Sequence, residues 1–378
     1  MKSSERFKKY MTFQPVDHIP DIEFGYWKDL YTLWHNQGMP KIEANDRAFE
    51  LYFGLEQWMN YVPVKIFIHR LADEKLVEVK DGYEYFYNTE LVYCRRPSDR
   101  HDTVPQYLEY PLKTEKDWIE KFLPYMNPDD GEVIPDNLEE SVQELLNQNE
   151  IITIHVGSLF GQLRDWIGFE QIALMVYDNP KLLERIIEDT TNFTCTVLEK
   201  VLPHVGTKIV HAHFWEDICF NKGPMISPEY FRRVLTPRYK RITDILHKYG
   251  INIISVDCDG RIHELVDHWL EGGVNTMFPL EQNGQCDVAE FRRRYGRDLL
   301  MIGGVDKIKI SAGGDIIKRE LERIAPIVEE GGFIPCCDHR CPADVSLENY
   351  RHYLKLKREI FGIPQKEEKP RESTIDIV

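Results

Sequence analysis

Five apolar runs in the second half of the chain end in residues that can do chemistry. Glu216 and Asp217 follow 208–215. Asp257, Cys258, Asp259 and Gly260 close the run that begins at 251, Glu281 follows 274–280, and Asp306 follows Gly303 and Gly304. Cys336, Cys337, Asp338, His339 and Cys341 close the run that begins at 333. Zn²⁺ takes Cys, His and Asp or Glu, and a catalytic zinc keeps one position open. Glu216, Asp257, Cys258 and His339 form a candidate metal set of those types. Asp217, Asp259 and Glu281 are candidate catalytic acids beside it. Each residue alone has a plainer reading, because a strand-end carboxylate commonly caps a helix and a single Cys commonly packs as a small hydrophobe. The C-C-x3-C spacing of Cys336, Cys337 and Cys341 lacks the second pair that a closed structural zinc site needs. His211 and His213 share one face of their run and are expected as satisfied interior histidines.

These residues share one rim only if the runs are strands of one parallel sheet. IITIHVG (151–157), KIVHAHFW (208–215), INIISVD (251–257), VNTMFPL (274–280), DLLMIGG (298–304) and FIPCC (333–337) are apolar and strand-like, and a helical pattern follows each. Ser227-Pro228-Glu229 marks a helix start and Gly250 its stop. Such alternation predicts an α/β fold with a buried parallel sheet. No G-x-G-x-x-G or Walker pattern favours an open nucleotide-binding sheet, so a closed (β/α)8 TIM barrel is expected, with chemistry at the C-terminal strand ends. The barrel is expected as a single domain over 1–365, with an N-terminal extension and an insertion at about 70–150, followed by a polar tail at 366–378. DHIPDIEFGYW (17–27) and YVPVKIFIHR (61–70) are further strand candidates, and EYFYNTELVYCRR (84–96) alternates as a hairpin does.

With 378 residues, 42% of them hydrophobic, the chain can bury a large core. Sixty-three acidic against 47 basic residues give a formal net charge of −16, the wrong sign for a nucleic-acid or anionic-membrane partner. No run of 18 apolar residues is present, and the start lacks an apolar signal core, so a cytoplasmic protein with eight reduced cysteines is expected.

The segments ERFKKYMTFQPVDHIP, KGPMISPEYFRRVLTPRYKRI, ISVDCDGRI, GGVNTMFPLE, MIGGVDK and GFIPCCDHRCPADVSLENY resemble the uroporphyrinogen decarboxylase superfamily, in family order. Within it they are closest to the corrinoid-dependent, O-demethylase-like methyltransferases. The resemblance implies a (β/α)8 barrel. True decarboxylases carry an N-terminal R-Q-A-G-R-Y type motif, and PDIEFGYWKDL stands here without an arginine. The methyltransferase branch holds zinc through an H-x-C motif and a later Cys. Counting back from Gly260, Asp257 and Asp259 stand at the H and the C, with Cys258 able to replace Asp259. Counting back from Asn349, His339 stands at the later Cys. The resemblance therefore implies a zinc-dependent methyltransferase that moves a methyl group from a small methylated, methoxylated compound to a cognate corrinoid protein. Zinc would polarise the ether oxygen, and Asp217 or Glu281 would protonate it. The corrinoid is expected on a separate partner, because no D-x-H-x-x-G pattern is present. A homodimer is compatible with the sequence. The alternative enzyme is a lyase that decarboxylates an aromatic or pyrrole acid, with Arg164, Arg261 and Arg340 as the candidate carboxylate holders. A non-catalytic binding barrel is the third reading.

Overall fold

The computed structural model describes residues 1–66, 71–99, 105–148 and 150–369. Along the chain the strands are Asn60–Tyr61 (β1), Lys75–Lys80 (β2), Tyr83–Tyr87 (β3), Tyr93–Pro97 (β4), Gln106–Glu109 (β5), Ile152–His155 (β6) and His211–Trp215 (β7). They continue as Cys219–Phe220 (β8), Gly223–Pro224 (β9), Ile254–Asp257 (β10), Thr276–Phe278 (β11), Leu300–Val305 (β12) and Phe333–Cys337 (β13). β1, β6, β7, β10, β11, β12 and β13 join in that order into one sheet, and each neighbouring pair is parallel. Long amphipathic helices, among them Pro180–Val205, Thr236–Lys248, Gly314–Glu330 and Leu347–Ile360, follow the strands. This is the expected TIM-barrel-like α/β architecture. The six strands read from apolar runs all form, because such runs bury on both faces of a parallel sheet.

The stretch 17–27, expected as a strand, lies between β13 and β1 without a regular ladder. A single bridge joins Tyr26 to Cys341. The backbone is held on one side by the Glu56 N–H on the Asp21 carbonyl (2.8 Å) and on the other by the Cys341 N–H on the Gly25 carbonyl (2.9 Å). Its acids are neutralised behind the sheet. Lys357 Nζ lies 2.7 Å from Glu23 and 3.5 Å from Asp21, and Arg358 Nε lies 2.9 Å from Asp21. A segment that carries two buried carboxylates does not look like an apolar strand, and paired charges take over part of the role of the ladder.

The helix Ser3–Met11 closes the end at which the strands begin. The Tyr10 hydroxyl lies 2.8 Å from the carbonyls of Val328 and Phe333, and the Phe7 ring is 5.6 Å from His211. β2, β3, β4 and β5 form a separate antiparallel sheet, which includes the expected hairpin. Among the described residues of the run 61–70 Tyr61 alone is in a strand, and 67–70 lie outside the described residues, as do 100–104 and 149 of the expected insertion and 370–378 of the expected tail. Among the described residues no helix is long and apolar enough to cross a membrane.

Candidate active site at the barrel mouth

Alternation along the strands decides what enters the barrel. Thr153 and His155 on β6 stand beside His211 and His213 on β7, Ser255 on β10 beside His213, and Asp257 beside Trp215. A polar layer joins them. Thr153 Oγ1 is 3.0 Å from His211 Nδ1, His211 Nε2 is 2.8 Å from Ser255 Oγ, and His213 Nδ1 is 2.7 Å from the same hydroxyl. Burial pushes His211 down to about 3 and holds His213 well below the usual imidazole range, helped by its neighbour His211. Both rings are therefore neutral at physiological pH, and one serine hydroxyl can donate to one and accept from the other.

Above this layer opens a cavity of about 570 Å³, within the range of small-molecule sites and at the strand ends where barrel enzymes work. His155, His213, Trp215 and Asp257 form its floor and near wall, and Phe24, Trp58 and Tyr61 add aromatic surface. Asp46 and Glu50 come from the Asp46–Tyr52 helix, with Glu90, Asp165, Arg47 and Arg340 around the opening. Burial, then the charges of Asp259 and Asp217, holds Asp257 well above the carboxylate range. Burial and then Asp46 do the same to Glu50, while burial and then Asp165 push Glu90 up to about 7. The arginines are matched within the protein. Arg340 lies 2.7 Å from Asp46, Arg164 lies 2.9 Å from Asp217, and Arg47 pairs with Glu150.

The candidate metal set does not converge. Asp257 faces the cavity, but Glu216 and Cys258 have the opposite strand parity and lie behind the sheet. Glu216 is fully buried, and both of its oxygens are already used. Oε1 accepts from the Leu159 N–H (2.7 Å) and the Tyr239 hydroxyl (2.6 Å). Oε2 accepts from the N–H groups of Phe160 (2.9 Å) and Gly161 (2.8 Å) and from Ser158 Oγ (3.1 Å). It caps the start of the Gly161–Ile167 helix, and the approach is so close that a Cβ on Gly161 would stand 1.8 Å from the Glu216 carbonyl. Cys258 Sγ accepts from the Ile218 N–H at 3.3 Å and is buried. His339 stacks on Trp27 and places Nε2 3.2 Å from Asp259 Oδ2. Burial opposes its charge, but the Asp259 bond outweighs that and raises its pKa. These four residues do not fit a zinc ion. Among the described residues no group of three or more His, Cys, Asp and Glu side chains is placed to hold a metal.

The candidate acids are dispersed too. Asp217, in a left-handed conformation at φ 41°, is tied to Arg164. Asp259 faces His339. Glu281 is 2.9 Å from Lys307 Nζ and accepts the Gly260 N–H at 3.0 Å. His155, Trp58, Tyr61, Glu50 and Glu90 line the cavity without having been singled out by the sequence. Strand parity carried through β6 marks His155, whereas nothing local marks the others.

The model of the family described as Uroporphyrinogen decarboxylase (URO-D) matches residues 104–360. No curated protein matches the chain. Among solved structures, a methyltransferase from Methanosarcina mazei superposes with a TM-score of 0.58 at 14% identity, over 96% of this chain and 99% of that one. This is a likeness of fold. A B12-independent methionine synthase from Shewanella sp. W3-18-1 gives 0.38 at 13% identity, over 59% and 65% of the two chains.

Proposed function

Because the chain belongs to the uroporphyrinogen decarboxylase family, we propose that it is an enzyme whose cavity takes a small methylated compound, and that it is a methyltransferase rather than a decarboxylase. One observation carries this choice. Arg340, Arg164 and Arg47 at the mouth are each engaged by a carboxylate of the protein itself, while buried acids face the cavity. A decarboxylase for a polycarboxylate needs cations that reach its substrate, and the described residues offer acids instead. Arg261, the remaining candidate, is 3.0 Å from Gln285 outside the cavity.

The acceptor in this reading is a corrinoid carried by a partner protein, which supplies the nucleophile for the methyl group. The chain does the rest. Phe24, Trp58 and Tyr61 exclude water from the methyl-bearing end. The neutral His213, fixed by Ser255, presents an uncharged ring edge to the substrate. The Asp257 carboxyl has no hydrogen-bond partner among the described residues and stands where it can hold a proton or a positive charge at the leaving atom. Because Glu216 and Cys258 do not fit zinc, no step is routed through a metal of this chain.

Incubation with a reduced corrinoid protein and a panel of methoxylated aromatics and methylated amines tests the reading. The expected result is methyl–corrinoid absorbance with at least one donor, and its loss in Asp257→Ala. Carbon dioxide release from porphyrinogens, with no methyl transfer from any donor, overturns it.

A further inference from the structure

The proposed reading leaves the leaving atom open, and the cavity's charge speaks to it. Glu50, Glu90 and Asp257 line one cavity, and none makes an ion pair among the described residues. Glu50 is 7% exposed. Its Oε2 accepts from Gln57 Nε2 at 3.1 Å, and its other oxygen has no partner among the described residues. A largely buried carboxyl with one oxygen left open to the cavity is placed to receive a ligand's donor or positive charge. The cations nearby do not do so, since Arg340 is bound to both oxygens of Asp46 (2.9 and 2.7 Å) and Arg47 reaches outward to Glu150. Facing the acids are Phe24, Trp58, Tyr61 and Trp215. Rings that present π-faces, together with desolvated carboxylates, recognise a cation whose charge is spread over methyl groups.

From this juxtaposition we infer that the cavity binds a methylated ammonium ion, and that this cation is the methyl donor. The inference rests on the methyltransferase reading and narrows its substrate class. The chemistry balances without a Lewis acid. The bond between nitrogen and the methyl carbon breaks with both electrons staying on nitrogen, which departs as a neutral amine. The carbon takes its new electron pair from the reduced corrinoid of the partner. An ether oxygen would leave as an anion and would need a metal or a proton; an ammonium nitrogen needs neither. The failure of Glu216, Cys258 and His339 to converge with Asp257 on a metal thus agrees with the donor that the acids and rings select.

Calorimetry and tryptophan quenching with the full chain test this, with choline as the probe and its uncharged isostere, in which a tert-butyl group replaces the trimethylammonium, as the control. Choline is expected to bind at least about tenfold more tightly than the isostere, the range that a desolvated cation–π contact and a paired carboxylate provide. Asp257→Asn and Glu50→Gln are each expected to weaken choline about tenfold or more and to leave the isostere unchanged. Isostere binding also reports whether a variant is folded, and the wild-type comparison decides if neither variant folds. Equal or tighter binding of the isostere overturns the inference, and so does the absence of any choline binding. Methyl transfer from methoxylated aromatics without choline binding overturns this inference alone. Choline binding with no transfer from any methylated ammonium donor overturns the assignment of the cation as donor and leaves a cation-binding cavity, and no transfer from any methylated or methoxylated donor overturns the methyltransferase reading as well.

Discussion

Asp257 closes β10 and Cys258 follows it, and the two sides of the sheet that they face obey different rules. Behind the sheet the side chains of Glu216 and Cys258 are both engaged by the protein itself. Glu216 accepts five hydrogen bonds there, and the Cys258 sulfur is held by the Ile218 N–H. Inside the mouth, the buried Glu50 and the half-buried Asp257 and Glu90 make no ion pairs among the described residues. The first setting is what a fold needs and the second is what a site needs. Residue type alone does not separate them, because both contain carboxylates at strand ends. Satisfaction does. An acid whose lone pairs are already used builds the barrel, and an acid left short is available to a ligand.

The most drastic way to break this contrast is Glu216→Ala. It strands three backbone N–H groups and two hydroxyls and should cost about 3–5 kcal/mol of stability, the range for removing one side of a buried charged network. Urea unfolding measures it. Any loss of ligand binding should follow the fraction unfolded, because the helix that Glu216 caps also carries the cavity residue Asp165. A Glu216→Ala protein of unchanged midpoint would show that the outer carboxylate is not structural. Asp257→Asn should do the reverse. It removes a carboxylate whose charged form burial disfavours, so stability at pH 7 should rise, by about 1 kcal/mol as typical for relieving functional-site strain, while choline affinity falls. A fall in both would place Asp257 with Glu216.

Much of this contrast is legible in the sequence. The run 333–337 forms β13 at the positions read from it, and the other apolar runs form strands one to three residues shorter at their starts. Parity was legible as well. The reading that puts His211 and His213 on one face also puts Trp215 with them and Glu216 against them, and it separates Asp257 from Cys258 in the same way. Chemical type outweighed parity in the candidate metal set, and that is why the set failed. Other features had no local signal. Asp21 and Glu23 are ion-paired with Lys357 and Arg358 from the far end of the chain, and Glu50 reaches the cavity from a short helix outside the strand–helix alternation. Both depend on contacts between distant segments, which residue spacing does not encode.

Glu90 sharpens the contrast through pH. Its pKa is pushed up to about 7 by burial and then by Asp165, against an ordinary carboxyl value of about 4.3. Between those values the folded protein holds a proton that the unfolded chain releases, so this group's contribution to stability falls as pH rises through the window. A bound cation favours the ionised form and drives the proton off. Choline affinity should therefore rise severalfold from pH 5 to about 7 and then level, with proton release visible as a dependence of the binding heat on buffer. Glu90→Gln should flatten the rise. Asp257, Glu50 and Asp165 titrate in the same cavity, so a rise that survives in Glu90→Gln unaltered would assign it to them.

The smallest effect expected is the most telling about metal. If Cys258 belongs to the outer belt, Cys258→Ser exchanges one weakly bonded buried group for another. A serine hydroxyl can still accept from the Ile218 N–H and donate to the Asp259 carbonyl, which the thiol meets at 3.6 Å. The change should then cost no more than about 1 kcal/mol, a net hydrogen bond's worth, and leave choline binding and methyl transfer as they were. If instead the cysteine bound a metal in the working enzyme, the thiolate would be essential, and its loss would cut metal affinity and activity together by one or two orders of magnitude, about what even supporting ligands of a zinc site command. Metal content by mass spectrometry, read beside the transfer assay on the same preparations, separates the two. Equal zinc and equal transfer in Cys258→Ser and wild type keep Cys258 behind the sheet as a packing thiol. A joint loss would mean that the outer face opens during the reaction cycle and that Asp257 and Cys258 act together after all.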